Sequence, residues 1–310
     1  MTPERLTVYR TGGLGDTLLC VPMLRALRGV FATTHIEFIG SGSGASILRA
    51  AGLVDSVHDL SVDFVRKPAA LVDDHPRDPH ILLAFTSSQE VIGRLTRWPW
   101  GAIRWDPHPP VGVHAAEHLL RALTLLGIWP KWQGPQAVDP LTFAEEPARV
   151  ASCPRAVTLH PGAGAPWKRP PMRLFHEVFE GLVHSGRQVQ VIQGPAESRR
   201  ELVAAFGRDS VISPQEAMSL ASVLRQSAAY AGCDSGVSHL AGILGVYTVA
   251  VFGPTHPRTW SPLGPRVHVL RSCSLPPADE IRACHRGDCF DGISADGIIG
   301  ALTARHEAVS

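Results

Sequence analysis

Short apolar runs alternate with longer amphipathic stretches along most of the chain. Runs over 6–9, 36–39, 57–60 and 81–85 have the length and content of buried strands. A helix is predicted from Asp16 to about Arg28. A second covers 114–127, where Leu119, Leu120, Leu123 and Leu126 recur at helical spacing. The rhythm lapses over 129–154, a stretch punctuated by Pro130, Pro135, Pro140, Pro147 and Pro154, which reads as a linker. It then restarts. Strands over 156–159, 189–192, 211–213, 230–233 and 248–252 alternate with helices over 172–185, 197–206, 219–226 and 237–244, and a last helix covers 295–306. This alternation predicts an α/β protein of two Rossmann-like, doubly wound domains facing a cleft. The expected division is 1–150, 151–290 and a terminal helical segment 291–310. Ligands of such sheets bind beyond the carboxyl ends of the strands, so the loops after strands are the informative ones.

Composition removes several function classes. The chain has 310 residues, 45% hydrophobic and 18% charged, which is globular rather than disordered. With 29 basic and 28 acidic side chains its formal charge is +1, so it lacks the basic excess of a nucleic-acid binder. The apolar stretch between Arg5 and Arg10 is too short for a secretory segment, and no apolar run is long enough to cross a bilayer. A cytoplasmic location is expected, with at most peripheral membrane contact. The six cysteines (Cys20, Cys153, Cys233, Cys273, Cys284, Cys289) form no C-x-x-C pair and are expected as buried free thiols. Cys273, Cys284, His285 and Cys289 fit no standard zinc spacing, and neither a metal nor a cofactor is predicted.

Three strand-end loops carry candidate chemistry. The first is Arg10-Thr11-Gly12-Gly13-Leu14-Gly15-Asp16-Thr17, which opens a helix. Its glycines admit close backbone approach, but the spacing is not the G-x-G-x-x-G of a dinucleotide site. Asp16 reads either as a helix-capping carboxylate or as a general base, and the two are compatible. The second loop is His160-Pro161-Gly162-Ala163-Gly164-Ala165-Pro166-Trp167-Lys168-Arg169. Gly162 and Gly164 expose backbone amides as an anion nest, and Lys168 (one of three lysines) and Arg169 add positive charge. The third is Cys233-Asp234-Ser235-Gly236-Val237-Ser238-His239, where Ser235, Gly236 and Val237 stand at a helix N-terminus suited to an anion. His239 is either a ligand contact or a satisfied histidine at the domain face. In the loop 193–197, Glu197 reads as a ribose-hydroxyl acceptor or as a helix-start carboxylate. Phe252-Gly253-Pro254-Thr255-His256-Pro257 is a further strand-end loop.

Together R-T-G-G-L-G-D-T-L-L at 10–19, H-P-G-A-G-A-P-W-K at 160–168, D-S-G-V-S-H-L-A at 234–241 and G-V-Y-T-V-A-V-F-G-P-T at 245–255 resemble glycosyltransferase family 9, the ADP-heptose:lipopolysaccharide heptosyltransferases. The resemblance implies a GT-B fold, with the acceptor in the first domain, the nucleotide-sugar donor in the second, and a last helix that packs back on the first. It implies inverting, metal-independent transfer of a sugar from a donor such as ADP-heptose to a saccharide or lipid-saccharide acceptor. On this resemblance Asp16 is the catalytic base, in an acceptor-side loop of Gly12, Gly13, Gly15 and Thr17. Lys168, Gly162, Gly164, Ser235, Gly236 and Val237 hold the diphosphate. Asp234, His239 and Glu197 face the sugar or nucleoside. Two other readings stand beside it: a related transferase acting on a soluble small-molecule or protein acceptor, and a non-catalytic nucleotide-sugar-binding protein. Residues 1–150 carry 14 basic and 15 acidic side chains, which weakens the case for a polyanionic lipid acceptor.

Overall fold

The computed structural model describes residues 3–40, 42–59, 80–95, 101–145, 155–272 and 288–304. The chain forms two compact units, Met1–Gly134 with Thr142–Glu145, and Pro135–Leu141 with Glu146–Ser310.

The first unit is built on five parallel strands: β1 (Arg5–Arg10), β2 (His35–Gly40), β3 (Ser56–Asp59), β4 (His80–Phe85) and β5 (Gly101–Trp105). Their order is β3-β2-β1-β4-β5. Leu6, Val8, Ile36, Phe38, Leu83 and Phe85 are fully buried, as expected for strands covered on both faces. The helices are α1 (Leu14–Leu18), α2 (Val21–Val30), α3 (Gly42–Ala50), α4 (Gln89–Leu95) and α5 (Ala115–Arg121). The single helix predicted after β1 is thus two. Pro22 stands in the first turn of α2, where its missing N–H costs no helical bond, and the ladder restarts there. The helix predicted over 114–127 tightens after α5 into a 3₁₀ segment, Ala122–Leu126, and ends at Gly127 with φ 74°. β5 escaped the sequence reading because it is a short edge strand whose residues are only partly buried or exposed.

The second unit holds six parallel strands: β6 (Val157–His160), β7 (Val189–Ile192), β8 (Val211–Ile212), β9 (Ala229–Cys233), β10 (Thr248–Phe252) and β11 (Val267–Arg271). Their order, β11-β10-β9-β6-β7-β8, is the doubly wound Rossmann arrangement, with the switch point between β6 and β9. The helices are α6 (Met172–His184), α7 (Arg199–Phe206), α8 (Ala217–Gln226), α9 (Gly236–Ile243), α10 (Pro257–Trp260) and α11 (Ala295–Thr303). One core cluster joins Leu159, Phe175, Val178, Val191, Leu202, Ala231, Val249 and Val251.

The described part of α11 packs within the second unit: Ile298 and Leu302 lie in that core, and Tyr247 donates to the Ala301 carbonyl. The stripe of Ile298, Ile299 and Leu302 needs an apolar partner, and α6 supplies it, with Gly181 facing Ile299. The cysteines were expected to be free. Cys20 and Cys233 are free and buried, but Cys289 is disulfide-bonded. The thiol expectation weighed compartment alone and had no measure of which sulfurs meet in space. Cys153, Cys273, Cys284 and His285 lie outside the described residues, as do 146–154 of the predicted linker.

Candidate active site

In the first unit, the β1–α1 loop aims a carboxylate from the first turn of α1. Asp16 is not the N-cap itself; Gly13 is, and Asp16 sits three residues on. Its Oδ2 accepts the Gly13 N–H at 3.0 Å, and its Oδ1 accepts from Arg10 Nη2 at 2.9 Å. Capping and availability therefore coexist, since the Asp16 side chain stays 34% exposed while Arg10 is 8% exposed. Gly12 has φ +137°, and a Cβ there would meet the Asp16 side chain at 2.6 Å, so only glycine fits. Thr17 donates to the Gly13 carbonyl at 3.2 Å, while Gly44 of α3 is pressed against its side chain. Gly15 lies within α1, and its carbonyl accepts from Leu19. The Cys20 thiol is pushed up to about 12 by burial, so it stays protonated and is no nucleophile.

In the second unit, the loops after β6, β7, β9 and β10 meet around the sheet's switch point. Lys168 ends a one-turn 3₁₀ segment, Pro166–Lys168, whose first position is a proline with φ already set for the turn. Its Nζ donates to Asp234 Oδ2 at 2.7 Å, and Thr255 Oγ1 donates to the same oxygen at 2.5 Å. Asp234 is 5% exposed and Lys168 25%, so the lysine is the open end of the pair. An ammonium has three N–H donors, and Asp234 takes one. Ser235 caps α9. The N–H groups of Gly236 and Val237 open the first turn, where a helix leaves donors without intrahelical partners.

Glu197 lies behind this cluster with a side chain only 6% exposed. Its Oε2 accepts the Gly194 N–H at 2.7 Å and stands 3.4 Å from His160 Nε2, and its Oε1 stands 3.8 Å from Arg169. Burial pushes the carboxyl up, but the His160 bond and charge, the Gly194 N–H and Arg169 outweigh it, and the net shift is downward. The Cys233 thiol is pushed up by burial and then by the charges of Asp234 and Glu197; it donates to the Pro161 carbonyl at 3.2 Å. Among the described residues no three His, Cys, Asp or Glu side chains converge as a metal-holding group.

The sequence pattern of glycosyltransferase family 9 (heptosyltransferase) matches residues 131–289, just over half of the chain. The chain belongs to glycosyltransferase family 9. A curated relative, lipopolysaccharide heptosyltransferase 1 of Pseudomonas aeruginosa, is 29% identical over 145 residues, 42% of this chain and 40% of that protein's length. Among solved structures, ADP-heptose lipopolysaccharide heptosyltransferase II of E. coli superposes with a TM-score of 0.76 at 16% identity, covering 98% of this chain and 100% of that one. A family 9 glycosyltransferase of Veillonella parvula gives 0.75 at 17% identity, covering 98% of each. These likenesses establish the GT-B fold.

Within this family 9 chain the structure brings together Lys168, Asp234, Ser235, Gly236 and Val237, and puts Asp16 with Gly12, Gly13 and Thr17. Some members of the site sit otherwise than the sequence reading had them. Gly162 is buried, and a Cβ there would fall 2.1 Å from the Glu197 carboxyl carbon; the glycine makes room for that carboxylate. Gly164 is exposed with open space around it, which leaves its amide accessible. Arg169 was read as a fork for an anion, yet its Nε and Nη2 both donate to the Ala163 carbonyl, at 2.9 and 2.7 Å. Those two bonds tie the end of the loop back to its start. The Glu197 side chain is 6% exposed, and His239 is 5% exposed within α9. Sequence reasoning missed Arg10 as the partner of Asp16 and Thr255 as the second support of Asp234. For Thr255 the signal was available: a hydroxyl in a strand-end loop of the same sheet.

Proposed function

We propose that the chain is an inverting, metal-independent glycosyltransferase that moves a heptosyl group from ADP-heptose to an acceptor hydroxyl. The observation that carries this reading is the Thr255–Asp234–Lys168 clamp beside the N-terminus of α9, in a chain that belongs to family 9. The names of the relatives above, two of them lipopolysaccharide heptosyltransferases, support the donor and a lipopolysaccharide-core acceptor.

In this mechanism Asp16 takes the proton of the acceptor hydroxyl. The acceptor oxygen attacks the anomeric carbon from the face opposite the diphosphate, and the bond from that carbon to the leaving phosphate oxygen breaks. ADP departs with three negative charges, one more than its diphosphate carried in the donor, and that added charge must be balanced. Lys168, the amides of Gly236 and Val237, and the open amide at Gly164 supply the donors a metal ion would otherwise provide. Asp234 keeps Lys168 aimed and faces the sugar, and His239 lies one turn along the same helix. Glu197 stands behind the nucleoside-side turn. Arg10 holds the Asp16 carboxylate in one orientation.

A soluble acceptor is the second reading, because residues 1–150 carry 14 basic against 15 acidic side chains and offer little attraction to a polyanion. No helix among the described residues is long and apolar enough to cross a membrane. The donor reading is tested by thermal denaturation with ADP, UDP and GDP at matched concentrations. Selective stabilisation by ADP supports it, because a ligand bound only by the folded state raises its melting temperature. Stabilisation by UDP in preference to ADP contradicts it.

A further inference from the structure

His160 closes β6 and is 3% exposed. Its ring lies between two loops that come from opposite sides of the switch point. Nε2 is 3.4 Å from Glu197 Oε2, in the turn between β7 and α7. Nδ1 is 3.3 Å from Ser235 Oγ, the N-cap of α9. The ring is covered by backbone as well: a Cβ on Gly194 would stand 3.1 Å from Nε2. The ring is therefore closed off from a ligand and holds a residue from each of the two loops. Glu197 needs this neighbour, since a carboxylate buried to this degree requires hydrogen bonds and opposite charge. The ring, the Gly194 amide and Arg169 supply them. Because Glu197 accepts, Nε2 carries a proton, and Nδ1 is left to pair with the Ser235 hydroxyl.

We propose that His160 is a positioning residue for the nucleotide-sugar: its imidazole locks the Glu197 turn to the Ser235 cap, so that the nucleoside side and the diphosphate side of the donor site form one rigid seat. This rests on the donor-site reading above. His160 makes no contact with the donor itself. Its removal lets the two loops settle independently, and a ligand that spans both must then reorder them on binding.

The three variants His160→Ala, His160→Gln and His160→Asn separate this from a role in packing alone. A glutamine amide reaches toward the Nε2 position and can keep the Glu197 link. An asparagine amide reaches toward Nδ1 and can keep the Ser235 link. Isothermal titration of ADP into the full-length wild-type and variant proteins is the measurement. His160→Ala should raise the ADP Kd by about tenfold, the equivalent of about 1.4 kcal/mol. The Gln and Asn variants should each fall between it and wild type. An ADP Kd within twofold of wild type in all folded variants overturns the proposal. So does equal loss in Gln, Asn and Ala, which would mark a simple cavity effect. If His160→Ala does not fold, the Gln and Asn variants decide by the same criterion: weakened ADP binding in both supports the proposal, and wild-type affinity in both overturns it. Failure of the wild-type protein to bind ADP would instead overturn the donor-site reading, and this inference with it.

Discussion

Thr255→Val is the most informative single change in the clamp. Thr255 is 4% exposed, and valine keeps its shape while deleting the hydroxyl that donates to Asp234 Oδ2 at 2.5 Å. Asp234 is itself 5% exposed, so water cannot readily replace the lost donor. A hydrogen bond to a charged group contributes about 1.5–3 kcal/mol. For a unit of this size each kcal/mol moves the melting temperature by about 2–4 °C, so the expected drop is about 3–12 °C. With Thr255 gone, Lys168 is the remaining side-chain donor to Asp234 in the clamp, and it should be held more tightly there. Donor affinity should therefore fall by a few-fold. Differential scanning calorimetry and ADP titration read both effects, and Thr255→Ser, which restores the hydroxyl, should recover most of each. A Thr255→Val protein that melts within 1 °C of wild type and binds ADP equally would refute the view that this hydroxyl holds the clamp.

Lys168→Ala should weaken donor binding and turnover together; unchanged steady-state kinetics would remove it from the diphosphate site. Gly162→Ala forces a methyl group to within 2.1 Å of the Glu197 carboxyl carbon and should destabilise the second unit by about 1–3 kcal/mol, readable in a denaturant midpoint. Glu197 titrates below its ordinary value of 4.5 in the folded state, so its contribution to stability is complete above pH 4.5 and is lost as the pH falls through the lower folded value. Melting temperatures of wild type and Glu197→Gln should accordingly converge on acidification below pH 4.5, and a gap that widens there would be contrary to this assignment.

The fold was largely legible because the signal was local. Runs of four or five mostly apolar residues followed by glycine-containing turns marked β1, β2, β6, β7, β9 and β10, and their alternation with helices pointed to parallel, doubly wound sheets. β5 and β11 were not legible, since edge strands are half-solvated and their hydrophobic pattern is weak. The motif loops were visible as loops, but what each residue does inside them depended on partners far along the chain. Lys168 meets Asp234 across 66 residues, and His160 meets Glu197 across 37. Arg169 illustrates the limit best. Its charge and position suited an anion, yet the backbone folds so that the Ala163 carbonyl takes two of its three nitrogens. Gly162 is the converse case: the sequence marked it correctly as a glycine position, while the reason, room for the Glu197 carboxylate, needed the tertiary structure.

The central claim is that this chain transfers heptose with Asp16 as base. Its most direct test is ADP release from ADP-heptose with a truncated lipopolysaccharide-core acceptor, for the wild-type protein and Asp16→Ala in parallel, with ADP affinity measured on both. The account predicts acceptor-dependent ADP release by wild type, its loss in Asp16→Ala, and ADP affinities within a few-fold of each other. Near-full turnover by Asp16→Ala would contradict it.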